Sequence, residues 1–475
     1  MLIALLACKE PEVITLGGRE TSLDVTLVNP TSCDVCDPFR NVDTLRLDVI
    51  AGGEVVASDS FAWPGETPEL PDLEGFGVVR IALVGLSGSR VASAGRTAEV
   101  VLVPDRAQTA TMVFLPANRA LPLAGGMLGD RSHALAARLR DGRVLVAGGV
   151  DPMRDRTFAN AETYDPATGT FSPTEATLPE DVAAPVAAWT AEGDLLVTGG
   201  WQVEGPTTPA SAAASRYDAD EERFVPLGDM AQARAGHCLA IYRERHAIVL
   251  GGAADTNQAD YAKRDDDTGE WAFSAIGMRD FEPADVSGCA PISEERVFVQ
   301  GRTLDATGVW SYADGGDPAE SFRSVEQADD DGARALDGPM LLPLPLGDVW
   351  VGSGADAGTG EAVEASRIFD AGHFRFDESG PLAVPRVDGK VEPWIAEGWL
   401  VAGCGFEDAA RTSAASSVEL FDWENGSTAV TVDLDRTRPG CAATVLADGS
   451  VLVTGGFGED DAGADAASLV VPWAD

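Results

Sequence analysis

A site that does chemistry needs groups that move protons, attack carbonyls or hold metals, and this chain of 475 residues supplies few of them. Four histidines (His133, His237, His246 and His373), seven cysteines and five tyrosines are scattered from end to end. Cys33-Asp34-Val35-Cys36 is a CxxC, but no second pair follows it and no strand-then-helix pattern surrounds it. Neither a zinc site nor a thioredoxin-type centre is expected there; a local disulfide between Cys33 and Cys36, stiffening a loop, fits better. Cys238, Cys289, Cys404 and Cys441 fall in strand-like runs and read as small buried residues rather than ligands. His133 and His237 follow arginines at the start of such runs and read as packed strand residues. The acidic runs Asp265–Asp267 and Asp329–Asp331 lack the alternating, glycine-centred order of a calcium loop and read as solvated turns. No HExxH, GxSxG or Walker sequence is present. From these residues no catalytic group, no metal and no cofactor is expected, and the protein reads as non-enzymatic.

The totals narrow the partners. There are 77 acidic residues against 34 basic ones, a formal net charge of -43, and only three of the bases are lysines (Lys9, Lys263 and Lys390). Such a surface repels phosphate backbones and anionic headgroups, so no nucleic-acid partner is expected. It suits a saline habitat, or attracts cations or a basic partner. No run approaches the roughly 18 apolar residues that cross a bilayer as a helix. The opening "MLIALLACKE" carries a short apolar run ending in Leu5-Leu6-Ala7-Cys8 and resembles a bacterial lipobox, though it lacks a basic n-region. The resemblance implies that residues 1–9 are signal and tether, with the lipid on Cys8. Membrane contact would then be through that anchor alone, and the location the bacterial cell envelope: outer membrane, periplasmic or surface-exposed. Six further cysteines suit that oxidising compartment.

The elements that must position any site are announced by repetition. "DGRVLVAGGV" at 141–150 returns as "DGSVLVTGGF" at 448–457. Between them the motif recurs at Gly148-Gly149, Gly199-Gly200, Gly251-Gly252, Gly301, Ser353-Gly354, Gly403 and Gly455-Gly456. Successive first positions are 51, 52, 50, 52, 50 and 52 residues apart. Seventeen residues earlier stand Arg131, Arg234, Arg386 and Arg438. Sixteen or eighteen residues later come Tyr164-Asp165, Tyr217-Asp218, Phe369-Asp370 and Phe421-Asp422. Short β-branched and aromatic runs between Gly, Asp and Pro turns, without helical periodicity, predict four antiparallel strands per copy.

"RSHALAARLRDGRVLVAGG…AETYDPATGTF" resembles a kelch repeat, with its double glycine and spaced aromatics. The resemblance implies a seven-bladed β-propeller over 118–475. The repeated glycines and Tyr164 and Tyr217 then read as structural, and the arginines as inter-blade donors to carbonyls or to the Tyr-Asp carboxylates. The last copy lacks a fourth strand, so Arg119–Leu123 is expected to pair with Ala467–Val471 and close the ring. Residues 10–116 hold about seven alternating strands and predict an immunoglobulin-like or transthyretin-like β-sandwich, with a spacer role. The whole chain is therefore expected to be all-β.

Kelch-type propellers also include copper radical oxidases resembling galactose oxidase, which need two histidines, two tyrosines and a cysteine cross-linked to one of them. That set is not assembled here, and nothing marks the residues of the related sialate mutarotases. The main expectation is a monomeric envelope lipoprotein whose propeller loops bind a protein or glycan. The alternative is a propeller enzyme, either such an oxidase or a glycan-processing enzyme.

Overall fold

The computed structural model describes residues 12–17 and 22–474, apart from 32, 34, 72, 74, 104–105, 152, 204–207, 253–257, 266, 278–281, 283–284, 312–321, 326–332 and 457–466. Cys8, Tyr312 and Asp329–Asp331 lie outside the described residues.

Seven four-stranded antiparallel sheets follow one another along the chain and form the blades of a β-propeller. Their inner strands are Leu135–Arg138, Val186–Trp189, His237–Tyr242, Val286–Ser293, Met340–Pro343, Lys390–Pro393 and Cys441–Val445, in blades 1 to 7. The ring closes as the missing fourth strand requires. Ala120, Leu121 and Pro122 pair with Val470, Leu469 and Ser468 in blade 7. Asn118 reinforces the seam, exchanging side-chain hydrogen bonds with the Trp473 backbone at 2.7 and 2.9 Å. Opening the ring would break a whole ladder at once.

The repeated glycines sit where one blade meets the next. Gly148, Gly199, Gly251 and Gly455 all have left-handed φ. A Cβ there would lie 2.4–2.7 Å from the carbonyl oxygen of Val182, Arg234, Val286 or Arg131 in the following blade. The second glycine then donates its N–H across the same seam: Gly149 to Val182, Gly200 to Arg234, Gly456 to Arg131. Blade 6 departs from the sequence reading. Gly403 lies inside its second strand, and the left-handed pair is Cys404-Gly405, with φ of 59° and 84°. The Cys404 sulfur bonds Cys441 of blade 7. Gly301 in blade 4 is likewise not left-handed.

The arginines act differently from expectation. The guanidinium of Arg131 donates to Glu162, Gly148 O and Asn160 O, all within its own blade. Arg234 does the same with Asp260, Gly251 O and Gln258 O, and Arg386 with Glu419, Cys404 O and Ser417 O. Arg438 reaches Asp435 and Ser468. The Tyr-Asp carboxylates are not the partners. Asp165, Asp218, Asp370 and Asp422 instead accept N–H groups of the turn that follows each. The third strand alternates its side chains, so the carboxylate facing the arginine must lie an even number of residues from the aromatic, not next to it. Tyr164 and Tyr217 are buried against Phe171 and Phe224. In blade 4 the buried Gln300 takes the arginine's place, bonding Gly301 O and Arg334 O.

The four later cysteines are paired rather than merely small. Cys238–Cys289 joins the inner strands of blades 3 and 4, and Cys404–Cys441 joins blades 6 and 7. Cys33 is bonded to Cys36.

The N-terminal β-sandwich sets a three-stranded sheet (Glu12–Gly17, Ser22–Val28, Gln108–Val113) against a six-stranded one. Leu23, Val25, Leu45, Leu47, Ile81 and Phe114 fill the space between them. This domain packs directly against the propeller. Ala82, Val84, Ala94 and Leu115 share one apolar cluster with Leu121, Tyr164, Leu452 and Leu469 of the propeller. The Arg96 guanidinium lies 3.8 Å over Trp473 and 4.9 Å over Trp394. Burial lowers the Arg96 pKa to about 10, against the pull of Asp448.

Candidate functional site

Where the sandwich overhangs the propeller, a cavity of about 690 Å³ opens at one end of the channel. Its walls come from the sandwich (Arg80, Glu99) and from the turns after the inner strands of blades 1, 2, 6 and 7. Three arginines line it in a chain with more than twice as many acids as bases. Arg138 ends the inner strand of blade 1, is exposed, and has no hydrogen-bond or ion-pair partner among the described residues. Arg140 lies flat over Gly193, where a Cβ would fall 1.9 Å from its Cζ, and donates to Ala191 O at 3.2 Å. Arg80 donates to Ala447 O at 2.8 Å and pairs with Glu99 at 3.3 Å. Arg80 and Arg140 are thus held in place with donors to spare, since a guanidinium carries five.

Two indoles flank these cations. Trp189 is 37% exposed. Trp394 is fixed by its Nε1–H, which donates to Gly449 O at 2.8 Å. At the channel side, Glu392 of blade 6 accepts the N–H of Val445, a wall residue, at 2.7 Å. Burial pushes the Glu392 carboxyl up to about 7, with the Val445 N–H and Arg138 pulling the other way. Such a group holds its proton to higher pH than an ordinary surface carboxylate does.

None of these residues belongs to the repeated set read from the sequence. The signal was present nevertheless. Arg138, Trp189, Trp394 and Val445 each stand ten residues before the first member of the left-handed pair at the end of their blade's second strand (Gly148, Gly199, Cys404, Gly455). That position varies while its neighbours repeat, and all four side chains line the cavity.

The histidines do not converge. His237 is a packed strand residue, its Nε2 2.9 Å from Thr198 Oγ1, and burial and Arg234 push its pKa down to about 3. His246 bonds Tyr261, and the exposed His373 pairs with Asp370 at 2.7 Å. His133 departs from expectation: it precedes the inner strand of blade 1 in a left-handed conformation (φ 53°), at the channel end opposite the cavity. Six of the cysteines are consumed in disulfides, and Tyr164 and Tyr217 are buried in separate blades. Among the described residues, no three His, Cys, Asp or Glu side chains are grouped to hold a metal. The described residues therefore do not fit a copper–tyrosyl centre with its cysteine cross-link.

No protein-family model and no curated protein matches the chain. Solved structures do. A fungal alcohol oxidase of the AA5 family, in complex with copper, superposes with a TM-score of 0.54 at 16% identity, over 72% of this chain and 74% of that one. The structure of YjhT gives a TM-score of 0.40 at 14% identity, over 74% of this chain and 94% of that one. At 16% identity the likeness to the oxidase is one of fold, and that fold is the β-propeller.

Proposed function

We propose that the chain is a glycan-binding propeller whose cavity beneath the sandwich takes a carboxylate-bearing saccharide. One observation carries the reading: Arg80, Arg138 and Arg140 meet around a single space of about 690 Å³ that is flanked by Trp189 and Trp394. Guanidinium forks pair with carboxylates in bidentate geometry, and indole faces pack against sugar rings. The volume lies within the usual range for small-ligand sites. The chain's overall negative charge does not forbid an anionic ligand, because repulsion from distant charges is screened beyond about 8–10 Å at physiological salt. A bacterial envelope location with a lipid on Cys8 completes the proposal. The lipobox-like start and three disulfides support it.

Titration calorimetry of the full chain with oligogalacturonate, against an uncharged oligosaccharide of equal length, tests the reading. Binding of the acidic ligand alone is expected, weakening as salt rises. Arg138→Ala removes one charge-assisted contact of about 1.5–3 kcal/mol, roughly ten- to 150-fold in Kd. Equal binding of the neutral sugar, or no effect of the substitution, overturns it.

A second reading, an enzyme that processes the same glycan, is favoured by Glu392. A carboxyl still protonated near neutral pH beside a saccharide cavity has the property a general acid needs. Release of new reducing ends by the native chain and not by Glu392→Gln would establish it. Stoichiometric copper in the purified protein would overturn both readings in favour of an oxidase.

A further inference from the structure

The sandwich wall of the cavity does not end at Arg80. In the strand Val78–Ser87, Val79, Ile81 and Leu83 fill the sandwich core, so the alternate residues Val78, Arg80, Ala82 and Val84 face the other way. Ala82 and Val84 meet the propeller, and Arg80 lines the cavity. Val78 is the next residue outward on that face. Its partner across the ladder is Val101. On the other side Arg80 pairs with Ile50, and Ile50 pairs in turn with Val55. Residues paired directly across a ladder share a face. Ile50, Val55, Val78 and Val101 therefore make one apolar apron that continues from the arginine.

The apron is bare. Val55 is 57% exposed, Val78 44% and Val101 61%. The turn at Gly52-Gly53 and the strand entry at Gly77 add no cover, and a Cβ at any of the three would meet nothing within 4 Å. Eleven large apolar side chains are exposed among the described residues. Five of them are Val55, Val56, Val78, Val101 and Val103, and a sixth is Trp189 on the cavity wall. Such residues scattered singly need no explanation, but gathered beside a charged cavity they mark a binding surface. Charge selects the occupant. An anionic bilayer, or a second copy of this chain, would approach against a formal net charge of -43. A small amphiphile meets no such barrier, and it fills the cationic and the apolar surface together.

We propose that the ligand of this cavity is an acidic saccharide carrying an aliphatic chain, with its carboxylate at Arg80, Arg138 and Arg140 and its chain laid on the valine apron. The proposal rests on the acidic-saccharide reading and adds the apolar half of the ligand. Two residues along a strand cover about 6.6–6.8 Å and one step between strands about 4.8 Å, so the apron lies within the span of a medium-length alkyl chain. Trp189 and Trp394 flank the sugar ring between the two ends.

Titration calorimetry of the full chain with octyl glucuronide, methyl glucuronide and octyl glucoside, below micelle-forming concentrations, tests this. Burying about half of the extra methylenes makes octyl glucuronide roughly 30- to 100-fold tighter than methyl glucuronide. Octyl glucoside, which lacks the carboxylate, is expected to bind at least about ten-fold more weakly than octyl glucuronide. Val78→Ser/Val101→Ser, at exposed positions, is expected to cut the octyl-to-methyl ratio at least about five-fold and leave methyl glucuronide unchanged. Equal binding of the two glucuronides overturns the apron and leaves the acidic-saccharide reading standing. Equal binding of octyl glucoside and octyl glucuronide overturns that reading and this proposal with it, as does failure of all three to bind. A concentration-dependent dimer in sedimentation that the valine substitutions abolish assigns the apron to a second copy and overturns the proposal alone.

Discussion

Replacing Arg386 by methionine tests whether the periodic arginines hold blades or bind ligands. Its side chain and that of Glu419 are both 0% exposed and meet at 2.9 Å. Removing one partner of a buried pair typically costs about 3–5 kcal/mol, because the other charge is left without its counter-ion. Here Glu419 keeps three donors, the N–H groups of Ala383 and Val384 and the Thr428 hydroxyl, which place the loss near the lower end. Against that, the carbonyls of Cys404 and Ser417 lose their guanidinium donors. A net loss of about 3–4 kcal/mol follows. Adding Glu419→Gln removes the orphaned charge and is expected to restore about half of it. Urea unfolding followed by tryptophan fluorescence gives the midpoints. Arg223→Met serves as a control, since Arg223 and its partner Glu221 are more than half exposed and such pairs contribute at most about 1 kcal/mol. Equal shifts for Arg386→Met and Arg223→Met, or no recovery in the double variant, would refute the structural role. Oligogalacturonate binding should persist in every variant that folds.

The inter-blade disulfides close loops of sequence separation 51 and 37, so each restricts the unfolded chain by about 4 kcal/mol on the chain-entropy account. Cys238→Ala/Cys289→Ala should lower the urea midpoint more than Cys33→Ala/Cys36→Ala, whose loop spans a separation of 3. The Glu392 carboxyl binds its proton up to about pH 7 in the folded chain and only to about 4.5 when unfolded. The folded state thus holds the extra proton between those values, and stability should fall as pH rises through that window, by about 3 kcal/mol in all. Thermal midpoints from pH 4.5 to 8 should show this slope in the native chain and lose it in Glu392→Gln; parallel curves would contradict it.

The period of about fifty residues and the absent fourth strand of the last copy were enough to specify seven blades and a ring closed at Leu121. Every blade must meet its neighbour in the same way, so the residues at that contact repeat. Gly148, Gly199, Gly251 and Gly455 recur because a Cβ would strike the next blade's carbonyl. Arg131, Arg234, Arg386 and Arg438 recur because each ties the start of its own blade's inner strand to the end of the second strand. Spacing alone misplaced the pair in blade 6 by one residue, since it cannot distinguish a left-handed Cys404 from an extended Gly403. It also could not reveal that cysteines 37 and 51 positions apart become neighbours across a seam. The cavity was legible least of all. A ligand breaks the ring's symmetry, so its contacts must come from side chains that differ from copy to copy. Arg80 belongs to no copy, and it reaches Arg138, Trp189 and Trp394 only because the sandwich packs over blades 7 and 1.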